Sequence, residues 1–160
     1  MDRLHQILLL VGKLNYTWTN TESLLIYLIA GLAGVDKETA IVIFLTLNTT
    51  RARIDLVERL AKLPKCPAPL REEVLAVLAR MNNEARLRNK YNHCIYSFDE
   101  KGDISHTQLM RIFDARDQIK YGKIEVLDTE ELANIQTSID DVVAVNRDIW
   151  RIVKKNKFPV

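Results

Sequence analysis

The residues of this chain best suited to chemistry are an arginine, an asparagine and a histidine within six positions: Arg88, Asn89 and His93. Arginine holds a phosphate in a bidentate fork and stays charged at any working pH. Histidine exchanges protons near neutral pH and can act as a general acid or base. The set is therefore equipped to cleave RNA without a metal. His93 would activate the 2′-hydroxyl or protonate the leaving oxygen, Arg88 would stabilise charge on the pentavalent phosphorus, and Asn89 would orient the phosphate or the imidazole.

Arg88 ends an apolar helical stripe that repeats at three- and four-residue steps. The stripe consists of Leu70, Val74, Leu78, Met81 and Ala85. A buried guanidinium without a partner is costly, so Arg88 must be paired or must line a cleft. Glu22, on the apolar seam of the first helix, is the natural partner and would fix the guanidinium for phosphate binding. Two alternatives stay open: Glu22 extends to water from the edge of its seam, or Arg88 only pairs with a carboxylate of the first helix while His93 caps its own helix.

The segment resembles the motif of the HEPN superfamily, Arg-x4-6-His, in which a polar residue, often asparagine, follows the arginine. Here Asn89 follows Arg88, and four residues separate Arg88 from His93. The resemblance covers this motif and the helical order. It implies an all-α bundle, and for many members a metal-independent ribonuclease whose motif lies near the end of a late helix. Two copies then meet at a dimer interface to form one composite site, with Arg88, His93 and Asn89 as catalytic residues.

Three further residues are predicted to support the catalytic residues: Glu22, Tyr91 and Asn92. Tyr91 and Tyr96 flank the histidine, and they either stack on a base or pack in the core. Asn92 lies inside the motif, directly before His93.

Composition indicates a single helical domain over residues 1–160. The chain is 48% apolar with only five glycines and four prolines, and its net charge of +2 is too small to dictate a nucleic-acid partner. Cys66 and Cys94 are far apart in the sequence and fit a reducing compartment. The longest apolar run, at 24–33, is about half of the ~20 residues that a membrane-spanning helix needs. The run at 7–11 is too short for a signal peptide, so we expect a cytoplasmic protein without a membrane segment.

The patterning predicts a mostly all-α fold, an up-and-down bundle of four to five helices with a short extended or β-hairpin insert at about 94–128. Helices are expected at 3–33, 36–47, 49–63, 69–91 and 129–155. A seven-residue apolar repeat defines the first helix, with weak points at Gly12 and 16–20 where it can break in two. Asp36 is a good N-cap for the second helix, and Gly34 ends the run before it.

The sequence predicts no metal or cofactor site. The three histidines have no metal-ligand spacing with each other or with the cysteines, and residues 99–103 lack the alternation of an EF-hand loop. No phosphate-binding glycine loop and no Gly-x-Ser-x-Gly nucleophile elbow occurs.

Two hypotheses follow. In the first, the protein is a metal-independent endoribonuclease, such as a toxin or defence effector, and its partners are RNA, a second copy of the chain and a protein such as an antitoxin. In the second, it is a non-catalytic HEPN-like helical module that dimerises and binds a protein or nucleotide partner. Arg88→Ala separates them, because an arginine that only holds the fold together would lower the melting temperature substantially when removed.

Overall fold

The computed structural model describes residues 2–160, which are mostly helical with a small antiparallel insert before the last helix. The helices in this range are α1 (Arg3–Glu22), α2 (Leu25–Ala33), α3 (Lys37–Thr46), α4 (Thr50–Ala61), α5 (Ala68–Asn92) and α6 (Thr129–Lys155). The strands are β1 (Cys94–Phe98), β2 (Ile104–Leu109), β3 (Ile112–Asp114), β4 (Ile119–Tyr121) and β5 (Ile124–Val126). The predicted helical class and the extended insert at 94–128 are confirmed.

Capping residues set three helix boundaries where the sequence predicted them. The Asp36 carboxylate accepts a hydrogen bond from the Thr39 backbone N–H at 2.7 Å, and α3 begins at the next residue. The Thr49 hydroxyl accepts from the Ala52 N–H at 3.1 Å at the start of α4. Gly34 closes α2 in the left-handed region, with φ of 70°.

The predicted first helix is divided in two after Glu22. The Ser23 hydroxyl donates to the Asn20 carbonyl at 2.7 Å, and Ser23 and Leu24 form a turn before α2 begins. Serine favours such local bonds over helix propagation. Gly12 and residues 16–20 remain helical, so the break lies just beyond the expected weak points.

The described chain divides into two compact units. The sheet unit comprises residues 2–16 and 84–140, and the helical unit comprises residues 17–83 and 141–160. Their boundaries fall within α1, α5 and α6. A single domain over 1–160 stays a prediction.

In the helical unit, α2 packs against α3 and α4. Its largest fully buried side chains are Trp18, Leu25, Leu28, Ile29, Ile54, Leu78, Met81 and Ile149. The apolar stripe predicted on α5 therefore contributes to the core of this unit through Leu78 and Met81.

In the sheet unit, β1, β2 and β5 form an antiparallel sheet in the order β1-β2-β5, and β3 and β4 form a separate hairpin. The sheet bulges between Ser97 and Phe98. Its core cluster consists of Ile7, Leu14, Tyr91, Cys94, Ile104, Leu127, Ile135 and Ile139. The cluster joins the end of α5 to the insert, and so fixes the chain on both sides of His93.

The β3–β4 hairpin is held to the sheet through its base. The Gly122 N–H donates to the Arg111 carbonyl at 2.9 Å, and the Leu109 N–H donates to the Lys123 carbonyl at 3.2 Å. A side chain on Gly122 would collide with the Leu109 carbonyl, so this close approach requires glycine.

Among residues 2–160, no helix has the length and apolar character needed to cross a bilayer.

Candidate functional site

His93 lies directly after α5, where the helix passes into the sheet. Its backbone N–H donates to the carbonyls of Asn89 at 3.1 Å and Lys90 at 3.3 Å, which extends the helical hydrogen bonding to His93. Its own carbonyl accepts from the Met110 N–H at 3.2 Å. This last bond brings the residues that follow β2 alongside the predicted motif.

His93 is exposed and lines an open cleft of about 700 Å³, which we call the basic cleft. The cleft is formed by the end of α5 and by the insert, and its lining residues are Arg86, Asn89, Lys90, His93, Leu109, Met110, Arg111 and Glu125. All of them belong to the sheet unit. Two of the three predicted catalytic residues, Asn89 and His93, thus share one cleft.

The cations of the basic cleft differ in their partners. The Lys90 ammonium lies 2.5 Å from the Glu125 carboxylate and 2.7 Å from that of Glu131, so two carboxylates balance it. The guanidinium groups of Arg86 and Arg111 make no hydrogen bond or ion pair with any residue from 2 to 160. Two free guanidiniums beside a histidine form a site suited to an anion such as phosphate.

Arg88 is not among the residues that line the basic cleft. At 100° per residue, Arg88 and His93 point about 140° apart around the axis of α5. Arg88 is half-buried, and its Nη1 donates to the Asn89 Oδ1 at 3.0 Å. Its Nε is buried and has no hydrogen-bond partner within the described chain. Arg88 therefore reaches the edge of the cleft through Asn89.

Tyr91 packs in the core of the sheet unit, where it is only 2% exposed. Its hydroxyl bonds to the Glu131 carboxylate, and its carbonyl accepts from the Tyr96 hydroxyl at 2.9 Å. Burial, together with the bond to Glu131, raises the pKa of Tyr91 far above that of a free tyrosine. Of the two expected roles for Tyr91, core packing is the one observed, and base stacking is not available to it in this position.

Lys90 sets the protonation of the acidic residues around it. Burial alone would lower the pKa of Lys90, but its bonds to Glu125 and Glu131 outweigh burial and raise it. The Glu125 pKa is lowered by the bonds from Lys90 and then Lys123. Burial opposes ionisation of Glu131, yet the bonds from Lys90 and Tyr91 hold its pKa below the ordinary value. This network joins the end of α5 to β5 and α6 and stays ionised at neutral pH.

Asn92 has a structural partner. Its Oδ1 accepts a hydrogen bond from the Asn15 Nδ2 on α1 at 2.8 Å. Asn15, a part-buried polar residue of α1, is thus satisfied by another amide, and the bond ties these two helices together in the sheet unit.

The predicted pairing of Glu22 with Arg88 is wrong. Glu22, 7% exposed in the helical unit, accepts from Arg53 Nη1 at 3.1 Å, the Thr50 hydroxyl at 2.9 Å and the Trp18 indole N–H at 2.9 Å. Arg53 also donates to two carbonyls at the end of α3. Three donors on α1 and α4 satisfy this carboxylate. Glu22 therefore links α4 to α1, and its carboxylate contacts no residue of the basic cleft.

Two cleft residues that the sequence analysis did not single out are Arg86 and Arg111. The sequence does signal the position of Arg86. Asn89 follows Arg86 by three residues and His93 follows it by seven, so the three side chains share a helix face. Arg111 had none, since strand pairing across the insert decides its position. Within the described residues, no group of three or more His, Cys, Asp or Glu side chains is arranged to hold a metal ion.

Comparison of the chain with models of protein families, with curated proteins and with solved structures found no match.

Proposed function

We propose that this protein is a metal-independent endoribonuclease of HEPN type, acting as a toxin or defence effector. The observation that carries the proposal is the position of His93, exposed in an open cleft beside the unpaired guanidiniums of Arg86 and Arg111. A proton-transfer group next to free anion-binding groups is the arrangement that cleavage at a phosphate requires.

The reaction is a transesterification within the RNA chain. The 2′-oxygen attacks the adjacent phosphorus and gives its proton to a base, while the bond from phosphorus to the 5′-oxygen breaks and that oxygen takes up a proton. The products are a 2′,3′-cyclic phosphate and a 5′-hydroxyl. His93 provides one of the two proton transfers, and the His93 of a second copy provides the other at the composite site that the HEPN resemblance implies.

Arg88 and Asn89 act together in this scheme. The Arg88 Nη1 is bonded to Asn89, whereas its Nε is buried without a partner. An approaching phosphate, or a second copy that closes over this face, would offer an acceptor to the guanidinium. Arg88 lies outside the cleft, so it acts through Asn89, whose amide it holds at the cleft where charge develops on the phosphorane oxygens.

The resemblance also bears on architecture and setting. We propose that the helices form the up-and-down bundle of HEPN proteins and carry the 94–128 insert within a single domain. We also propose that the protein acts in the cytoplasm as a homodimer. Its partners would be RNA and an antitoxin-like protein. The long helix that ends at the motif, followed by one last helix, supports the bundle. The two buried, unpaired cysteines fit a reducing compartment.

Cleavage of a mixed RNA pool in excess chelator tests the proposal. Wild-type protein should shorten the RNA, and His93→Ala should lower the rate by about 10²- to 10⁴-fold, the range for loss of a general acid or base. His5→Ala is the matched control, because His5 is an exposed histidine of α1 paired with Asp2, outside the cleft. Equal degradation by wild type and His93→Ala would show that the activity is not the proposed one.

A second candidate function is a non-catalytic module that binds a partner protein. The apolar side chains exposed on the β3–β4 hairpin favour it, among them Ile112, Phe113 and Ile119. This function predicts that folded wild-type protein leaves RNA intact and forms a stable complex with a protein encoded beside it.

A further inference from the structure

An apolar hollow adjoins the basic cleft. Its volume is about 560 Å³, and its lining residues are Ile95, Gln108, Leu109, Met110, Arg111, Ile112 and Tyr121. Leu109, Met110 and Arg111 line both cavities, so the hollow and the cleft meet along the segment that follows β2. Both cavities lie entirely within the sheet unit.

Strand pairing places the walls of the hollow. Ile95 on β1 lies opposite Gln108 on β2, and Ile112 on β3 lies opposite Tyr121 on β4. The hollow is therefore bounded by the sheet on one side and by the hairpin on the other. The bond from the Gly122 N–H to the Arg111 carbonyl closes the base of the hairpin at the position of the shared arginine.

The hollow exposes apolar surface that a folded chain would ordinarily bury. Tyr121 is 68% exposed, Met110 is 58% exposed and Ile95 is 50% exposed. Exposed apolar groups clustered at a concavity indicate a binding site more often than scattered ones do. Here the hollow adjoins the cleft that Arg86 and Arg111 line, so the complete site is apolar at one end and cationic at the other.

We infer that the two cavities together bind one nucleotide of single-stranded RNA, with its base in the hollow against Tyr121 and its phosphate between Arg86 and Arg111. A nucleotide has the matching division into a flat apolar base and an anionic phosphate. Proteins that bind single strands combine a cationic groove with an aromatic side chain on which a base stacks. Paired bases in a duplex do not expose a face for such stacking, so the site selects unpaired RNA.

This inference rests on the proposed function for its choice of RNA, and it extends that function by naming the substrate class and three binding residues. It also assigns Arg111 a double role, because Arg111 lines both the hollow at the base end and the cleft at the phosphate end. His93 lines the same cleft, so a phosphate held there lies beside the proposed proton-transfer group.

Binding is measured by anisotropy over a salt series, with a fluorescein-labelled single-stranded oligoribonucleotide and with His93→Ala protein, whose slower cleavage keeps most of the RNA whole during the measurement. Tyr121→Ala should weaken binding about 5- to 150-fold with an unchanged salt slope, the range for losing one stacked base. Arg86→Ala and Arg111→Ala should each reduce the slope of log K against log salt by about 0.7, the value for one lost phosphate contact on a single strand.

The control is Tyr16→Ala, which removes an equally exposed tyrosine from α1, outside both cavities. Tyr121→Phe should retain affinity, because its ring still stacks. Equal affinity of the Tyr121→Ala and Tyr16→Ala proteins would overturn the inference, as would equal binding of a duplex of the same sequence. Wild-type cleavage with no effect of Tyr121→Ala refutes the nucleotide site alone. Specific binding without any cleavage by wild type supports the site and refutes the nuclease.

Discussion

At Arg88, one guanidinium nitrogen is bonded to Asn89 while another is buried without a partner. A buried, unsatisfied donor costs about 1–3 kcal/mol, more when the group is charged. Residues kept in an unfavourable environment are common where activity and stability compete. This environment supports the proposed role of Arg88 in binding over a role in holding the helices together.

Arg88→Met should keep or raise the melting temperature while lowering RNA cleavage at least about 100-fold. Methionine retains the apolar stem on the α5 stripe and removes the buried unpaired donor, whereas Asn89 loses the guanidinium that holds it at the cleft. Scanning calorimetry and the chelator assay measure the two effects. Arg51→Met, at an exposed position on α4, should change neither. A substantial fall in melting temperature for Arg88→Met would indicate a structural arginine instead.

At the scale of elements, Lys90 joins the end of α5 to β5 and α6 through Glu125 and Glu131. Lys90 lies inside the predicted motif, three residues before His93. The structure gives it two carboxylate partners, which leaves Arg86 and Arg111 as the free cations of the cleft. Lys90 thus anchors the end of α5, which leads into His93, to β5 and α6.

Acid should weaken the sheet unit through this network. The pKa values of Glu125 and Glu131 are lowered in the folded protein, so the unfolded chain binds more protons as the pH falls. Their contribution to the free energy of unfolding is complete above about pH 4.3, the ordinary value for glutamate. It is lost as the pH drops through the lower folded pKa values. Glu125→Gln should flatten this acid loss in urea titrations, and Glu130→Gln, exposed on the same α6 turn as Glu131, should leave it unchanged. Identical acid profiles for wild type and Glu125→Gln would contradict this account.

The helical unit depends on the pairing of Glu22 with Arg53. Arg53→Ala would leave the Glu22 carboxylate buried with its charge uncompensated, and we expect a loss of about 3–5 kcal/mol in the free energy of unfolding. Arg51→Ala, on the same helix but exposed, should change it by less than about 0.5 kcal/mol. Below its melting temperature the Arg53→Ala protein should still cleave RNA. Loss of cleavage by folded Arg53→Ala protein would indicate that Glu22 takes part in the proposed site.

Local chemistry explains which elements could be predicted from the sequence. Three helix ends depend on bonds to residues only a few positions away, and such local bonds can be predicted from the sequence. The residues that define these ends are Asp36, Thr49 and Gly34. The sequence predicts the break in the first helix a few residues before Ser23, where the structure has it, because serine is compatible with both helix and turn. The composition of the insert indicated strands, but their order depends on pairings between distant residues.

The site was less predictable than the fold, since tertiary partners decide it. The Glu22 carboxylate binds Arg53, 31 residues away, and not Arg88, the partner that the sequence predicts. His93 shares a helix face with Arg86 but not with Arg88. This follows from the 100° rotation per residue, so the sequence alone predicts it. Arg111 and Tyr121 come to the site through the hairpin, and no spacing in the sequence signals that.

At the scale of the whole molecule, the central expectation is a homodimer whose composite site uses His93 from both copies. Light scattering should give twice the chain mass of 18.5 kDa. When wild-type and His93→Ala chains are mixed in equal amounts and exchanged, activity should fall to about one quarter, because only wild-type pairs retain both histidines. A fall to about one half would indicate that each copy acts alone.

The chemistry of the RNA ends formed in chelator tests the account most directly. Wild-type protein and His5→Ala should both produce fragments with 2′,3′-cyclic phosphate and 5′-hydroxyl ends, detected by mass spectrometry, and His93→Ala should produce at least about 100-fold fewer. Fragments with 3′-hydroxyl and 5′-phosphate ends, or cyclic ends formed equally well by His93→Ala, would contradict the assignment of His93 and the proposed mechanism.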